Sequence, residues 1–253
     1  MDPIALRDAY DLRVRRGPAT APGVRRFDAE EEGWCGVVWS DLDAHTADAA
    51  IAEEVRRAEA LGRDTEWKLY DHDLPADLGD RLRRAGFVPE PPETLMIAET
   101  AALDTRVRLP EGVRLVDVRD ADGVDLAIRA HDAAFGGDGE PLRARLLHAL
   151  ETTPGDLTLT VALAEGGLPV SAARIEYFPG TGFAGLWGGG THPGWRGRGI
   201  YRALVAHRAR AAAARGVSFL QVDASEESRP ILRRLGFAAV ATTTPYVLRA
   251  RRG

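Results

Sequence analysis

Between Gly188 and Arg215 the chain reads Gly-Gly-Gly-Thr-His-Pro-Gly-Trp-Arg-Gly-Arg-Gly-Ile-Tyr and then a helical pattern. Phe183 to Trp187, just upstream, is an apolar run of strand length. Downstream, Ile200, Ala203, Leu204, His207, Ala211 and Ala214 recur at helical spacing, and Gly216 stands where a helix stops. A strand therefore feeds a turn holding Arg196-Gly197-Arg198-Gly199, and the turn opens a helix. In that geometry unpaired backbone N–H groups converge, with the positive end of the helix dipole behind them. Glycine removes the Cβ that would keep an anion at a distance, and the two arginines add charge. The stretch predicts a phosphate or pyrophosphate site.

Two common phosphate motifs fail on the spelling. A P-loop ends in Gly-Lys-Ser/Thr, whereas Ile200 follows Gly199. The dinucleotide fingerprint needs a third small residue at Arg202 and follows the first strand of its domain. Pro193-Gly-Trp-Arg-Gly197-Arg-Gly199-Ile resembles instead the acetyl-CoA loop of the GNAT N-acetyltransferases, with Gly194 at the family's Gln/Arg position. Leu232-Arg-Arg-Leu-Gly-Phe237 resembles that family's late helix. Over residues 113–249 the expected element order also resembles the GNAT fold: a strand, two helices, three strands, helix, strand, helix and closing strand.

The expected elements of this part are strands at Val113–Val118, Leu157–Ala164, Val170–Tyr177, Phe183–Trp187, Val217–Asp223 and Ala238–Leu248. The expected helices are Leu126–Phe135, capped by Asp120 or Asp122, then Glu140–Leu150, the helix after Gly199, and Glu226–Leu235. Earlier in the chain, helices are expected at Ile4–Val14, Asp48–Leu61 and Asp77–Ala85, and strands at Val24–Asp28, Trp34–Ser40, Glu66–Tyr70 and Thr94–Ala98. Gly17 to Gly23 reads as a turn.

The earlier part repeats the later one. Leu82-Arg-Arg-Ala-Gly-Phe87 returns 150 positions on as Leu232-Arg-Arg-Leu-Gly-Phe237; Asp73 then matches Asp223, and Thr94–Ile97 matches Thr244–Val247. The expected fold class is thus α/β (α+β), a mixed central sheet flanked by helices, in two tandem copies. Residues 1–102 would be a degenerate GNAT-like domain and residues 103–253 the acetyl-CoA-binding one. The first copy has Asp41-Leu-Asp-Ala-His-Thr-Ala47 before its helix, acidic and without glycine, which repels phosphates. Charge follows the same division: residues 1–102 carry 13 basic and 22 acidic residues, residues 103–253 carry 20 and 16. The mildly basic second part suits a polyanionic ligand and is too weakly basic for nucleic acid.

The resemblance implies transfer of an acetyl group from acetyl-CoA, a cosubstrate, to the amine of a small molecule or peptide. It implies cosubstrate contacts at Gly190, Thr191, Arg196, Gly197, Arg198, Gly199, Ile200 and Tyr201. Gly188 to Gly190 fits the bulge that the family carries on the strand before the loop, beside which the pantetheine arm lies. Two of the family's usual catalytic positions are empty: Ala184–Thr191 contains no acid, and Leu232 replaces the late-helix tyrosine. Candidates for proton handling are Glu176, Asp223, Ser225 and Tyr246, with Ser228 nearby. His192, Trp195 and Tyr201 flank the loop, and His207 falls on the helix's apolar stripe as a core residue. A CoA-binding sensor or scaffold without catalysis is the alternative class, and a nicotinamide-binding protein a third.

Asp71-His72-Asp73 reads as a solvated turn, and no metal is expected. Cys35, the single cysteine, is expected to pack as a small apolar residue beside Trp34, and no internal disulfide is possible. No apolar run reaches membrane-spanning length, and no signal-peptide pattern opens the chain, so a cytoplasmic protein without membrane or nucleic-acid partners is expected. The sequence leaves the oligomeric state open.

Overall fold

A computed structural model describes residues 2–17, 20–28 and 35–250. Trp34, Pro18 and Ala19 lie outside them, so the start of the second expected strand and part of the Gly17–Gly23 turn are not described. Helices are α1 (Pro3–Tyr10), α2 (Ala47–Leu61), α3 (Leu78–Arg84), α4 (Ala121–Phe135), α5 (Glu140–Thr152), α6 (Ile200–Ala214) and α7 (Arg229–Leu235). Strands are β1 (Val24–Asp28), β2 (Cys35–Ser40), β3 (Thr65–Tyr70), β4 (Val88–Pro89), β5 (Glu93–Glu99), β6 (Arg114–Asp117), β7 (Leu157–Leu163), β8 (Pro169–Phe178), β9 (Phe183–Thr191), β10 (Phe219–Ala224) and β11 (Ala238–Leu248). A π-helical turn, Asp11–Arg15, extends α1.

Contacts divide the chain into two compact units. The first holds residues 1–95, 223–226 and 239–253, the second 96–222 and 227–238. The division falls inside β5 and inside β10.

In the first unit β1 pairs antiparallel with β2, β2 parallel with β3, and β3 antiparallel with β11, which also pairs with β4. Its core is Val24, Val37, Leu42, Ala47, Ile51, Trp67, Leu78, Leu82, Phe87 and Tyr246. The parallel pair β2–β3 needs a crossover, which α2 supplies; α2 ends on Gly62 at φ +61, where a left-handed residue stops a helix without Cβ strain. The helix α3 closes with Phe87 N–H donating to Leu82 O at 3.1 Å. The buried Cys35 thiol donates to Asp64 O at 3.2 Å.

In the second unit the strand order is β10-β9-β8-β7-β6. Along β7, alternate residues face opposite ways. Leu157, Leu159, Val161 and Leu163 meet α4 and α5, whereas Ala162 and Ala164 meet Ile200 and Leu204 of α6. The sheet is therefore covered on both faces, and β9–α6–β10 forms a parallel crossover. Asp120 caps α4 by accepting from Gly123 N–H at 2.8 Å. The helix α7 starts at Arg229, later than the expected Glu226, because Pro230 occupies a first-turn position, where a missing N–H does no harm. It closes with Phe237 N–H donating to Leu232 O at 3.1 Å, the bond that Phe87 and Leu82 make in α3.

Candidate functional site

The expected strand Phe183–Trp187 runs on to Thr191, because its three glycines pair with β8. The register jumps there: Ala172 faces Gly190 and Arg174 faces Trp187, so Gly188 and Gly189 oppose the single residue Ala173. This is a β-bulge at the expected position. Gly188 has φ +59, and a Cβ on it would meet Arg174 Nη1 at 3.0 Å. A Cβ on Gly189 would come within 2.8 Å of the Tyr201 ring, and one on Gly190 within 2.4 Å of Phe135. On its other side β9 pairs parallel with β10 through Phe183, Ala184 and Gly185 only, the last opposite Gln221. Beyond that pair β9 continues without β10 as a ladder partner.

After β9 the chain makes a short 3-10 turn, Pro193–Trp195, capped by His192, whose Nδ1 accepts from Gly194 N–H at 3.1 Å. Gly197 (φ +75) and Gly199 (φ +83) are both left-handed, and a Cβ on either would touch nothing within 4 Å. Their conformation demands glycine while the space around them is open. The helix α6 begins at Ile200, and its first backbone bond runs from Ala203 N–H to Gly199 O at 3.0 Å. The N–H groups of Ile200, Tyr201 and Arg202 thus precede the helical ladder. Ile200 is buried and anchors the turn to the core.

The two loop arginines hold the backbone rather than standing clear of it. Arg196 donates to Thr191 O at 3.1 Å and to Ala134 O, in the last turn of α4, at 3.1 Å. Arg198 donates to Gly194 O at 3.3 Å and lies over the Trp195 ring at 4.6 Å. Gly190 O accepts from Ser171 Oγ at 2.5 Å, and the Thr191 hydroxyl lies 2.9 Å from Ser171 Oγ.

The proton-handling candidates fall in different surroundings. Glu176, on β8, is bridged by Arg145 and Arg174, each at 2.7 Å. Tyr246 is buried in the first unit's core opposite Trp67, and its hydroxyl packs where a Cβ on Gly79 would be 2.6 Å away. Asp223 is ion-paired through Oδ2 with Lys68 of β3, and its side chain is 3% exposed. Its Oδ1 has no hydrogen-bond partner among the described residues. Ser225 is exposed after β10. Neither Asp223 nor Ser225 caps α7, whose cap position is Ser228.

Two side-chain expectations change. His207 is a surface residue with Nε2 2.9 Å from Asp117 Oδ1, and its neighbour Arg208 is buried instead at 1% exposure. Helix α6 is rotated so that Ile200, Leu204, Arg208 and Ala212 face the sheet, a 3.6-residue stripe that the polarity of arginine conceals in the sequence. The Asp71-His72-Asp73 turn is not solvated throughout. Asp73 is buried and accepts two bonds from Arg15, at 2.8 and 2.9 Å, and His72 Nε2 meets Asp11 Oδ2 at 2.7 Å. The Arg15 guanidinium lies 3.5 Å above the Tyr70 ring.

The turn before α2 differs in kind from the turn before α6. Asp43 Oδ1 accepts from the N–H groups of His45 and Thr46, both at 2.9 Å, and from Thr46 Oγ1 at 2.8 Å. These bonds hold its carboxyl below the usual carboxylate range. A side-chain anion thus occupies the donors that an incoming anion would use.

Other residues stand out only in three dimensions. In the first unit Lys68 is buried, yet Asp223 beside it holds its ammonium charged. Glu93 is half-buried and its carboxyl is pushed up to about 7, by burial first and then by Asp223. Tyr10 and Tyr70, hydrogen-bonded to each other, are both driven well above the usual phenol range by burial. In the second unit Gln221 is 0% exposed, and neither its amide nitrogen nor its oxygen has a hydrogen-bond partner among the described residues. A strand glutamine or lysine carries no sequence signal of such a setting. Among the described residues no cluster of His, Cys, Asp or Glu could hold a metal, and no helix is long and apolar enough to cross a membrane.

Comparison with known proteins bears on this geometry. Residues 126–237 match the model of the acetyltransferase (GNAT) family. No curated protein matches the sequence. Among solved structures, a GCN5-related N-acetyltransferase from Kribbella flavida is similar at TM-score 0.69 and 20% identity, over 99% of this chain and 94% of that one. A tandem GNAT protein from the clavulanic acid biosynthesis pathway is similar at TM-score 0.64 and 14% identity, over 91% and 79%. A GCN5-related N-acetyltransferase from Sphaerobacter thermophilus gives TM-score 0.62 and 15% identity, over 91% and 77%. These likenesses concern the fold. Residues 126–237, which match the model of the GNAT family, hold the bulged strand, the left-handed glycine turn and both quoted motifs, and the fold of the chain is similar to that of solved GCN5-related N-acetyltransferases.

Proposed function

We propose that the protein is an acyl-CoA-dependent N-acetyltransferase that moves an acetyl group from acetyl-CoA to the amine of a small molecule or peptide. The observation that carries this reading is the pair of left-handed glycines, Gly197 and Gly199, opening α6 directly after a bulged strand. The N–H groups of Ile200 to Arg202 and the dipole of α6 suit a pyrophosphate. The open space over both glycines lets that group reach the backbone. Arg196 and Arg198 shape the turn through carbonyl bonds and still contribute charge.

Where β9 and β10 part, the buried Gln221 carboxamide offers a donor and an acceptor without partners. Both match the amide groups of a pantetheine arm. We assign the cosubstrate to residues 190–201 of a domain spanning 103–253. We read residues 1–102 as a degenerate copy, on the repeat at offset 150 and on Asp43, whose carboxylate stands in for the anion.

Of the four candidates for proton handling, Asp223 keeps an unused acceptor, Oδ1, while Lys68 fixes Oδ2. Glu176 is committed to two arginines and Tyr246 to core packing. Positioning an amine against a thioester supplies much of the acceleration even with a weak base. The same commitment of Glu176, with leucine at 232, favours a second reading as a non-catalytic CoA-binding protein. Titration calorimetry with acetyl-CoA, followed by thiol release over a panel of amines, decides between them. Binding with release supports the enzyme, binding without release supports the second reading, and no binding refutes both.

A further inference from the structure

Arg208 lies on α6, on the face of the sheet opposite α4 and α5, at 1% exposure. Among the described residues no carboxylate pairs with it. Its bonds go to backbone carbonyls: Nε to Leu204 O at 3.1 Å, and Nη1 to Arg174 O at 3.0 Å and Trp187 O at 3.5 Å. Arg174 and Trp187 face each other at the edge of the bulge, so one guanidinium nitrogen ties together the two strands where their register jumps. Nη2 points at the bulge itself, 3.5 Å from where a Cβ on Gly189 would be, beside the Tyr201 ring. Burial pulls this guanidinium down to about 10, with Tyr201 opposing and Arg174 adding to the fall.

A buried cation satisfied by carbonyl dipoles alone is a poor way to stabilise a core, since an apolar side chain of similar volume usually does as well or better. What an arginine supplies here, and an apolar residue cannot, is a fixed positive charge behind Gly188 and Gly189. An acyl transfer develops negative charge on the carbonyl oxygen of the thioester, and donors held in place before the reaction stabilise it. A bulge leaves backbone groups outside the ladder. Donation into the Trp187 carbonyl polarises the Trp187–Gly188 amide and strengthens its N–H as a donor.

We propose that Arg208 is a positioning residue for acyl transfer: it holds the bulge at Gly188–Gly189 open and polarises its amides toward the developing oxyanion. The inference rests on the acetyltransferase reading. It adds a buried residue two turns further along α6 than Tyr201, acting through the bulge rather than on the reacting atoms.

The test uses the full chain with Arg208→Met and Arg208→Lys. Two ligands are titrated, acetyl-CoA and adenosine 3′,5′-bisphosphate, which addresses the phosphate turn without the arm. Thiol release from acetyl-CoA is followed with the most responsive amine of the panel. The expected result for Arg208→Met is a melting temperature at or above wild type and bisphosphate affinity within about 2-fold. The turnover number should fall about 10²-fold with little change in KM, a loss typical of an impaired oxyanion site. Arg208→Lys, which keeps the charge and loses the fork, should recover part of that loss. Wild-type turnover in Arg208→Met overturns the inference. So does an equal loss of bisphosphate binding, turnover and melting temperature in both variants, which marks a structural role alone. A wild-type protein that binds no acetyl-CoA overturns the acetyltransferase reading instead.

Discussion

Replacing Gly199 with valine separates the folding of the phosphate turn from its use. Gly199 stands at φ +83, and a Cβ there meets nothing within 4 Å, so the folding penalty of adding a side chain is chiefly the backbone one. A left-handed L-residue costs about 1–2 kcal/mol, with a β-branched side chain at the upper end. The effect on binding is larger. On the proposed assignment, the new isopropyl group fills the open space through which a diphosphate would reach the N–H groups of Ile200 and Tyr201. Hydrogen bonds to a charged group contribute about 1.5–3 kcal/mol each. Losing two gives about 3–6 kcal/mol, or roughly 10²- to 10⁴-fold in Kd. Urea unfolding measures the first quantity and calorimetric titration of acetyl-CoA the second. Gly199→Ala should show a similar folding loss and a smaller binding loss. A folded Gly199→Val protein that binds acetyl-CoA as tightly as wild type refutes the assignment of this turn.

Three further outcomes are expected. Lys68→Met strands the Asp223 carboxylate, whose side chain is 3% exposed, and should lower stability by about 3–5 kcal/mol in urea unfolding, with Asp223→Asn in the same chain restoring part of it. Glu93 is raised to about 7 when folded against an ordinary value near 4.5, so the folded state binds more protons and wild-type stability falls as pH rises through that window. Glu93→Gln should remove this fall, worth about 1–2 kcal/mol after discounting for partial exposure, and parallel stability curves for the two proteins between pH 4.5 and 7.5 contradict it. Titration should give one CoA per chain, because Asp43 already accepts the N–H groups ahead of α2. Two equivalent sites contradict the degenerate reading of the first copy.

Local chemistry was legible without the fold. Glycines at 62 and 216 marked helix ends and those at 197 and 199 a turn without Cβ, and the structure has all four at positive φ, which few other residues tolerate. The three glycines at 188–190 pointed to a bulge, and the register jump lies among them. The cap of α4, expected at Asp120 or Asp122 and found at Asp120, likewise depends on near neighbours in sequence. Side-chain fates that hinge on distant partners were not legible. Lys68 and Asp223 are 155 positions apart and become a buried pair only through the sheet. The buried polar residue of α6 proved to be Arg208 rather than His207, because the rotation of a helix is set by the surface it packs on and a long polar side chain masks its own burial. The closing strand β11 joins the first unit, since pairing with β3 satisfies its backbone donors and acceptors wherever in the chain that partner stands. Sequence fixes turns and caps because their energetics are local, whereas burial, ion pairing and strand partnership are sums over contacts that only the folded chain brings together.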